Sequence, residues 1–149
     1  MSSYSETNIM AEVYRDQLLY LSAWIDTLHR KYPGNAFREE LKQANRTIAL
    51  TVHDTHLHYD QEHYDAWEKL IAETKQLLKK VQIQMKYRSH YAEVICYKDE
   101  EDGRVLYHGK VIGTDDLITV GGKTLEEAER DFHDAIDDLL DEKNVNSGY

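Results

Sequence analysis

The segment His53-Asp54-Thr55-His56-Leu57-His58-Tyr59-Asp60-Gln61-Glu62-His63 carries the chain's one suspicious cluster of metal-ligand side chains. His53, His56, Asp60 and His63 follow one another at intervals of three, four and three. On an unbroken helix all four share a face, and imidazole with carboxylate is a donor set for divalent transition ions. The stronger HExxH spacing is absent, and a helix break at Asp60 removes the shared face. The expectation is a polar face beside a helix-helix turn, with no metal and no other cofactor. Carboxylates are the other candidates, because two-metal hydrolysis runs on acidic groups that converge. Here Glu127 is expected to close a helix cap, and Asp137 and Asp138 to lie on an outer helix face. Asp99 to Asp102 sit in a turn, where repulsion keeps them solvated. His108 has no Ser or Cys nearby to activate, and His133 reads as a surface or interface histidine. No catalytic residue is expected, and so no enzyme.

The elements that position these groups fall into two parts. Of 149 residues, the first 88 hold 12 Lys/Arg against 12 Asp/Glu, while residues 89–149 hold 6 against 16 and carry the whole net charge of −10. Six of the seven glycines lie at or beyond Gly103. A joint at Arg88-Ser89 is the natural division, giving a helical domain over 1–88 and an acidic α+β domain over 89–149. The acidity argues against non-specific nucleic-acid binding. The single cysteine, Cys96, allows no internal disulfide and reads as a small apolar strand residue. The polar first twenty residues do not resemble a signal peptide, and no apolar run is long enough for a membrane span. A cytoplasmic location is expected.

In the first part Tyr14, Leu18, Leu21, Ile25, Leu28 and Tyr32 alternate by four and three, an apolar seam along one helix. Pro33-Gly34 stops it, and Asn35 is a candidate cap for the next. Phe37, Leu41, Ala44, Ile48, Val52, Thr55 and Tyr59 form a second stripe, and Trp67, Ile71, Thr74, Leu78, Val81 and Met85 a third. A turn near Tyr59 to Glu62, with Asp60 as cap, is expected over one long helix from Ala36 to Tyr87. It lets the stripes close on one another. The Lys31-Tyr32-Pro33 turn, the run Gln43 to Val52 and the rhythm of "YDAWEKLIAETKQLL" resemble the bacterial four-helix-bundle family. That resemblance covers about residues 14–85. It lacks a fourth helix before the joint, which implies that a second copy completes the bundle as a homodimer.

The second part alternates in strand fashion. "HYAEVICYK" (His90 to Lys98) and Arg104 to Ile112 are β-rich runs around the "DEEDG" turn, Asp99 to Gly103. Leu117 to Val120 is a short third strand. Thr124-x-x-Glu127 is a capping box, and Leu125, Ala128, Phe132, Ala135, Ile136 and Leu139 make the apolar face of one helix. The fold class is therefore α+β: an antiparallel helical bundle, then a three-stranded antiparallel sheet covered by one helix. The residues Asp99 to Gly103, Tyr107-His108-Gly109-Lys110-Val111, Gly113, Asp116, Thr119, Gly121, Gly122, Thr124, Glu126, Glu127, Phe132-His133, Ala135 and Asp137-Asp138 resemble the HicB-type antitoxin domain over about residues 91–142. That resemblance implies a partial RNase H-like fold without nuclease activity. It also implies a small basic RNA-cleaving HicA-type toxin as partner. Family members usually continue into a DNA-binding tail, whereas this sequence ends at "KNVNSGY", so specific operator binding is not expected.

The expected function is occlusion. Asp99, Glu100, Glu101, Asp102, Asp115 and Asp116 supply a negative field that speeds encounter with a basic toxin or nuclease, and Tyr97, Tyr107 and Leu117 supply specificity. Two rival readings are a phage or mobile-element inhibitor of a host defence nuclease, and an oligomeric adaptor with a degenerate HicB-like scaffold.

Overall fold

The computed structural model describes the backbone of residues 2–147 and the side chains of residues 9–142. The order of elements is α1 (Ser2–Lys31), α2 (Arg38–Asp54), α3 (Gln61–Val81), β1 (Gln82–Tyr87), β2 (His90–Lys98), β3 (Val105–Ile112), β4 (Thr119–Gly122) and α4 (Leu125–Ser147). Two units form, one of residues 1–33 with 37–79, the other of 34–36 with 80–149. Among the described residues, no helix is long and apolar enough to cross a membrane.

In the helical unit the expected seams are the buried positions: Leu18, Leu21, Ile25 and Leu28 on α1, Leu41 and Ile48 on α2, and Trp67, Ile71, Thr74 and Leu78 on α3. α1 stops at Lys31, just before Pro33, with His29, Arg30 and Lys31 in its last turn where the helix dipole favours cations. α2 and α3 are separate helices, as the turn chemistry suggested. Asp60 Oδ1 accepts the His63 N–H at 3.0 Å and so caps α3. Thr55, fully buried, ends α2; its Oγ1 accepts from Arg15 Nε at 2.9 Å, which ties the α2–α3 turn to α1. Ala11, Tyr64 and Trp67, with Tyr14 and Tyr59, form an aromatic cluster.

Asn35 does not cap α2. Phe37 occupies that position without a side-chain bond, and Asn35 is buried in an antiparallel bridge to Tyr97. The Ala36 N–H donates to the Cys96 carbonyl at 2.8 Å. β1 pairs with β2 only as far as Ile95, so Gly34 to Ala36 continue along the β2 edge from where β1 ends.

The sheet has four antiparallel strands in the order β1-β2-β3-β4, not three. The extra strand is Gln82 to Tyr87. The α3 seam holds through Val81, but Met85, read as its last member, points into the sheet core beside Ile83 and Tyr87. A strand rather than a helix forms because β1 turns back after Tyr87 through only Arg88 and Ser89. Both have positive φ, 48° and 65°, and the hairpin closes with the Tyr87–His90 pair. β4 also begins two residues later than expected, since the Val111 N–H donates to the Ile118 carbonyl and closes the β3–β4 turn first.

α4 lies over the sheet. Ala92, Val94, Val111, Val120, Phe132 and Ile136 form the core, joined by Ile83, Met85, Tyr87, Tyr107, Ile118, Leu139 and Leu140. Leu125 is exposed instead of joining the helix's buried face. Glu127 N–H donates to Thr124 Oγ1 at 3.1 Å, and the Glu127 carboxylate accepts from the Lys123 N–H at 2.8 Å, one residue earlier than in the usual capping box. Gly122 lets this first turn sit against β4: a Cβ there falls 2.6 Å from the Ala128 nitrogen.

The Arg88-Ser89 turn makes a measurable claim. A left-handed L-residue costs about 1–2 kcal/mol, while glycine adds about 0.5–1 kcal/mol of unfolded-state entropy. Ser89→Gly is expected to raise stability by about 0.5–1 kcal/mol, read as a higher denaturation midpoint at unchanged slope. An unchanged or lowered midpoint contradicts this account of the turn.

Candidate functional site

The "DEEDG" turn is shaped by its own carboxylates. Asp99 Oδ1 accepts the Glu101 N–H and Asp102 Oδ1 the Arg104 N–H, both at 2.9 Å. Gly103 takes φ +71°, and the Asp99 N–H donates to the Arg104 carbonyl at 2.8 Å. Asp99 and Asp102 therefore fold the loop, while Glu100 and Glu101 are exposed at its tip. Beside the loop is an open depression of about 400 Å³ lined by Asp99, Asp102, Arg104, Val105, Leu106 and Lys123. Val105 and Leu106 are 40% and 36% exposed. They pair with Lys98 and Tyr97 but extend past the last β3–β4 pair, Tyr107–Gly122.

Asp115, Asp116 and Leu117 lie at the other end of β3. Eight strand residues separate the two turns, about 25 Å at a usual strand rise. The six acidic candidates thus occupy two ends of the sheet and do not form one patch. Leu117 is 81% exposed, and the second turn is held by Thr114 Oγ1 donating to the Asp116 carbonyl. Tyr107 is half-buried against the core, paired across the strands with Cys96, and burial raises its pKa. Tyr97 is half-buried in its bridge to Asn35. Val105 and Leu106 were missed, although two adjacent apolar residues at the start of a strand cannot both face one core. Burial also raises the Cys96 thiol pKa, which makes it a poor nucleophile.

Asp137 is not simply an outer-face carboxylate. It accepts from Arg88 Nη1 at 2.9 Å and from the Tyr87 hydroxyl at 3.1 Å, while the Tyr87 ring stacks on His133 at 3.9 Å. This group fastens the strained β1–β2 turn to α4. Asp131 likewise accepts the Gly121 N–H at 2.9 Å.

In the helical unit the break between α2 and α3 separates His53 and His56 from the rest of their cluster. It brings His58 to Asp60 and His63 instead, with one ligand atom from each within 4.8 Å of the others. His63 Nδ1 lies 2.7 Å from Asp60 Oδ1 and 2.9 Å from Oδ2, and the His58 and His63 rings stack 3.9 Å apart at 4°. The hydrogen bonds from His63 hold the Asp60 carboxyl below its ordinary value. No signal short of the break itself marked His58. No family model, curated protein or solved structure matches this chain.

The Asp137 clamp has a pH signature. The Arg88 hydrogen bond, then that of Tyr87, holds the Asp137 pKa below its ordinary value. Its contribution to stability is therefore present above the unfolded carboxylate's pKa, about 3.9, and is lost as pH falls through the lower folded value. Asp137→Asn is expected to lower the melting temperature at pH 7, with the gap from wild type closing below about pH 3.9. A gap that stays constant with pH excludes the ion pair as its source.

Proposed function

We propose that the protein is a non-enzymatic inhibitor of the antitoxin type, whose HicB-like unit docks on a basic RNA-cleaving toxin or nuclease and excludes its RNA. The observation that carries this reading is the depression at the "DEEDG" end. There, exposed Val105 and Leu106 share a rim with Asp99 and Asp102, while Glu100 and Glu101 lie at the loop tip. Apolar anchors inside a charged rim fit protein recognition: the apolar groups supply affinity, and the charges steer approach. The succession of β2, β3, β4 and a capped helix supports the HicB-like reading, and β1 is an addition to it. The docking end is Asp99 to Leu106 rather than both ends of the sheet. Specific DNA binding is not part of this function, because the sheet unit carries 9 Lys/Arg against 16 Asp/Glu.

The homodimer belongs to the same proposal, and α1 supports it. Ile9 and Tyr20 are 57% and 66% exposed, and Val13 is exposed between them. At spacings of four and seven these three fall on one face of the helix. That face is turned away from the buried seam of Leu18, Leu21, Ile25 and Leu28. A helix that is apolar on two faces needs cover on both. A second copy presenting the same stripe supplies that cover.

Two experiments test these readings. Glu100→Lys with Glu101→Lys reverses charge while leaving the Asp99 and Asp102 turn bonds in place. Against a basic RNA-cleaving protein captured from the native host, the wild type is expected to abolish cleavage at one-to-one stoichiometry. The variant is expected to associate more slowly, on the order of tenfold at low salt, with a weaker salt dependence. Equal rates at every salt concentration, or RNA cleavage by the purified chain alone, would falsify the proposal. Light scattering is expected to give a dimer for wild type and a monomer for Ile9→Glu with Tyr20→Glu. A wild-type monomer at high micromolar concentration removes the second copy from the proposal.

A further inference from the structure

We propose that His58, Asp60 and His63 form a binding site for a divalent transition ion of the zinc class, which staples the α2–α3 turn. The proposal is independent of the docking reading and departs from the expectation of no metal. Two imidazoles and one carboxylate are a borderline N₂O donor set, suited to zinc-like ions and unsuited to magnesium or calcium, which prefer oxygen. The three ligand atoms already lie within 4.8 Å of one another. Donors around a tetrahedral ion with bonds of about 2.0–2.1 Å lie about 3.3 Å apart. Closing that difference also requires the His58 and His63 rings, which stack at 4°, to turn out of parallel so that both ring planes contain the ion, and both rings are half-exposed.

The turn is built to hold this geometry. Thr55 is fixed by Arg15, and Tyr59, flanked by His58 and Asp60, packs in the aromatic cluster while its hydroxyl donates to the His56 carbonyl at 3.0 Å. The His58 N–H donates to the Asp54 carbonyl at 3.2 Å. His63 lies against Trp67, with ring centroids 6.0 Å apart. Asp60 Oδ1 accepts the capping N–H of His63, and both carboxylate oxygens lie within hydrogen-bond distance of His63 Nδ1, at 2.7 Å and 2.9 Å, so a bound ion takes the place of the proton in that contact. Three protein ligands on a half-exposed turn leave the remaining positions to water, so the site is open on one side.

The test uses the full chain and zinc ion itself. Titration calorimetry of the wild type is expected to show saturable binding of one zinc ion per chain, with a rise in melting temperature that magnesium does not give. Asp60→Asn keeps a good capping residue and removes the carboxylate charge. It, His58→Ala and His63→Gln are each expected to weaken binding more than about tenfold, the lower bound seen even for residues that only support a metal ligand. His53→Ala with His56→Ala is expected to bind zinc as the wild type does. Circular dichroism checks that each variant is folded, and the Asp60→Asn result stands if a histidine variant is not. Absence of saturable binding overturns the proposal. So does affinity that survives His58→Ala and Asp60→Asn, or affinity that is lost in the His53/His56 variant, which assigns the zinc to loose surface histidines.

Discussion

The seam between α4 and the sheet, centred on Phe132, decides where every charge in the second unit can go. Phe132 is fully buried, with Ala92, Val94 and Ile136 around it. Burying such an aromatic side chain is worth about 1.5–3 kcal/mol, more than any of the exposed ion pairs in this unit. Once that face is spent on the core, the carboxylates of α4 and of the two turns must lie outward or at the ends of the strands. Gly122 permits this packing, because the first turn of α4 touches β4 where a side chain has no space. The Tyr87, Arg88, His133 and Asp137 group fastens the far end, against a two-residue turn that ordinary side chains adopt at a cost.

How much of this could be read from the sequence depended on whether the signal was local. β2 was legible to the residue, and the capping box at Thr124 and Glu127 placed the start of α4, because alternation and capping act within a few residues. β1 was not legible. The four-three rhythm of α3 runs on to Met85, and the turn that ends the strand uses Arg88-Ser89 where an Asn-Gly pair would have announced it. The structure makes such a turn tolerable through Asp137, nearly fifty residues away, and no local window contains that contact. Asn35 shows the same limit: its composition suits a helix cap, but the unpaired edge of β2 beyond Ile95 takes it for a bridge to Tyr97.

The candidate sites divide along the same line. That Asp99 to Asp102 form an exposed acidic turn followed from composition. That Asp115 and Asp116 lie at the opposite end of β3 followed only from strand order. Among the histidines the residue types were visible and the set was not. A helix break was expected at Asp60, and its effect is to exchange His53 and His56 for His58. Spacing rules assume a continuous helix, so a break changes which residues meet.

Charge counts overstate the negative field at the "DEEDG" end of the sheet. Once β1 joins the sheet, Lys80, Lys86 and Arg88 move into that unit, whose net charge becomes −7 rather than −10. Arg104 and Lys123 line the same depression as Asp99 and Asp102 and offset them at short range. Arg104 Nε lies 3.4 Å from Asp102 Oδ2. At physiological salt, charges more than about 8 Å apart are largely screened, so the local balance matters more than the total. The uncompensated charge nearest the depression is then at the loop tip, on Glu100 and Glu101. Val105 and Leu106, at the exposed start of β3, line that depression, so exposed charge and exposed apolar surface adjoin at this end of the sheet.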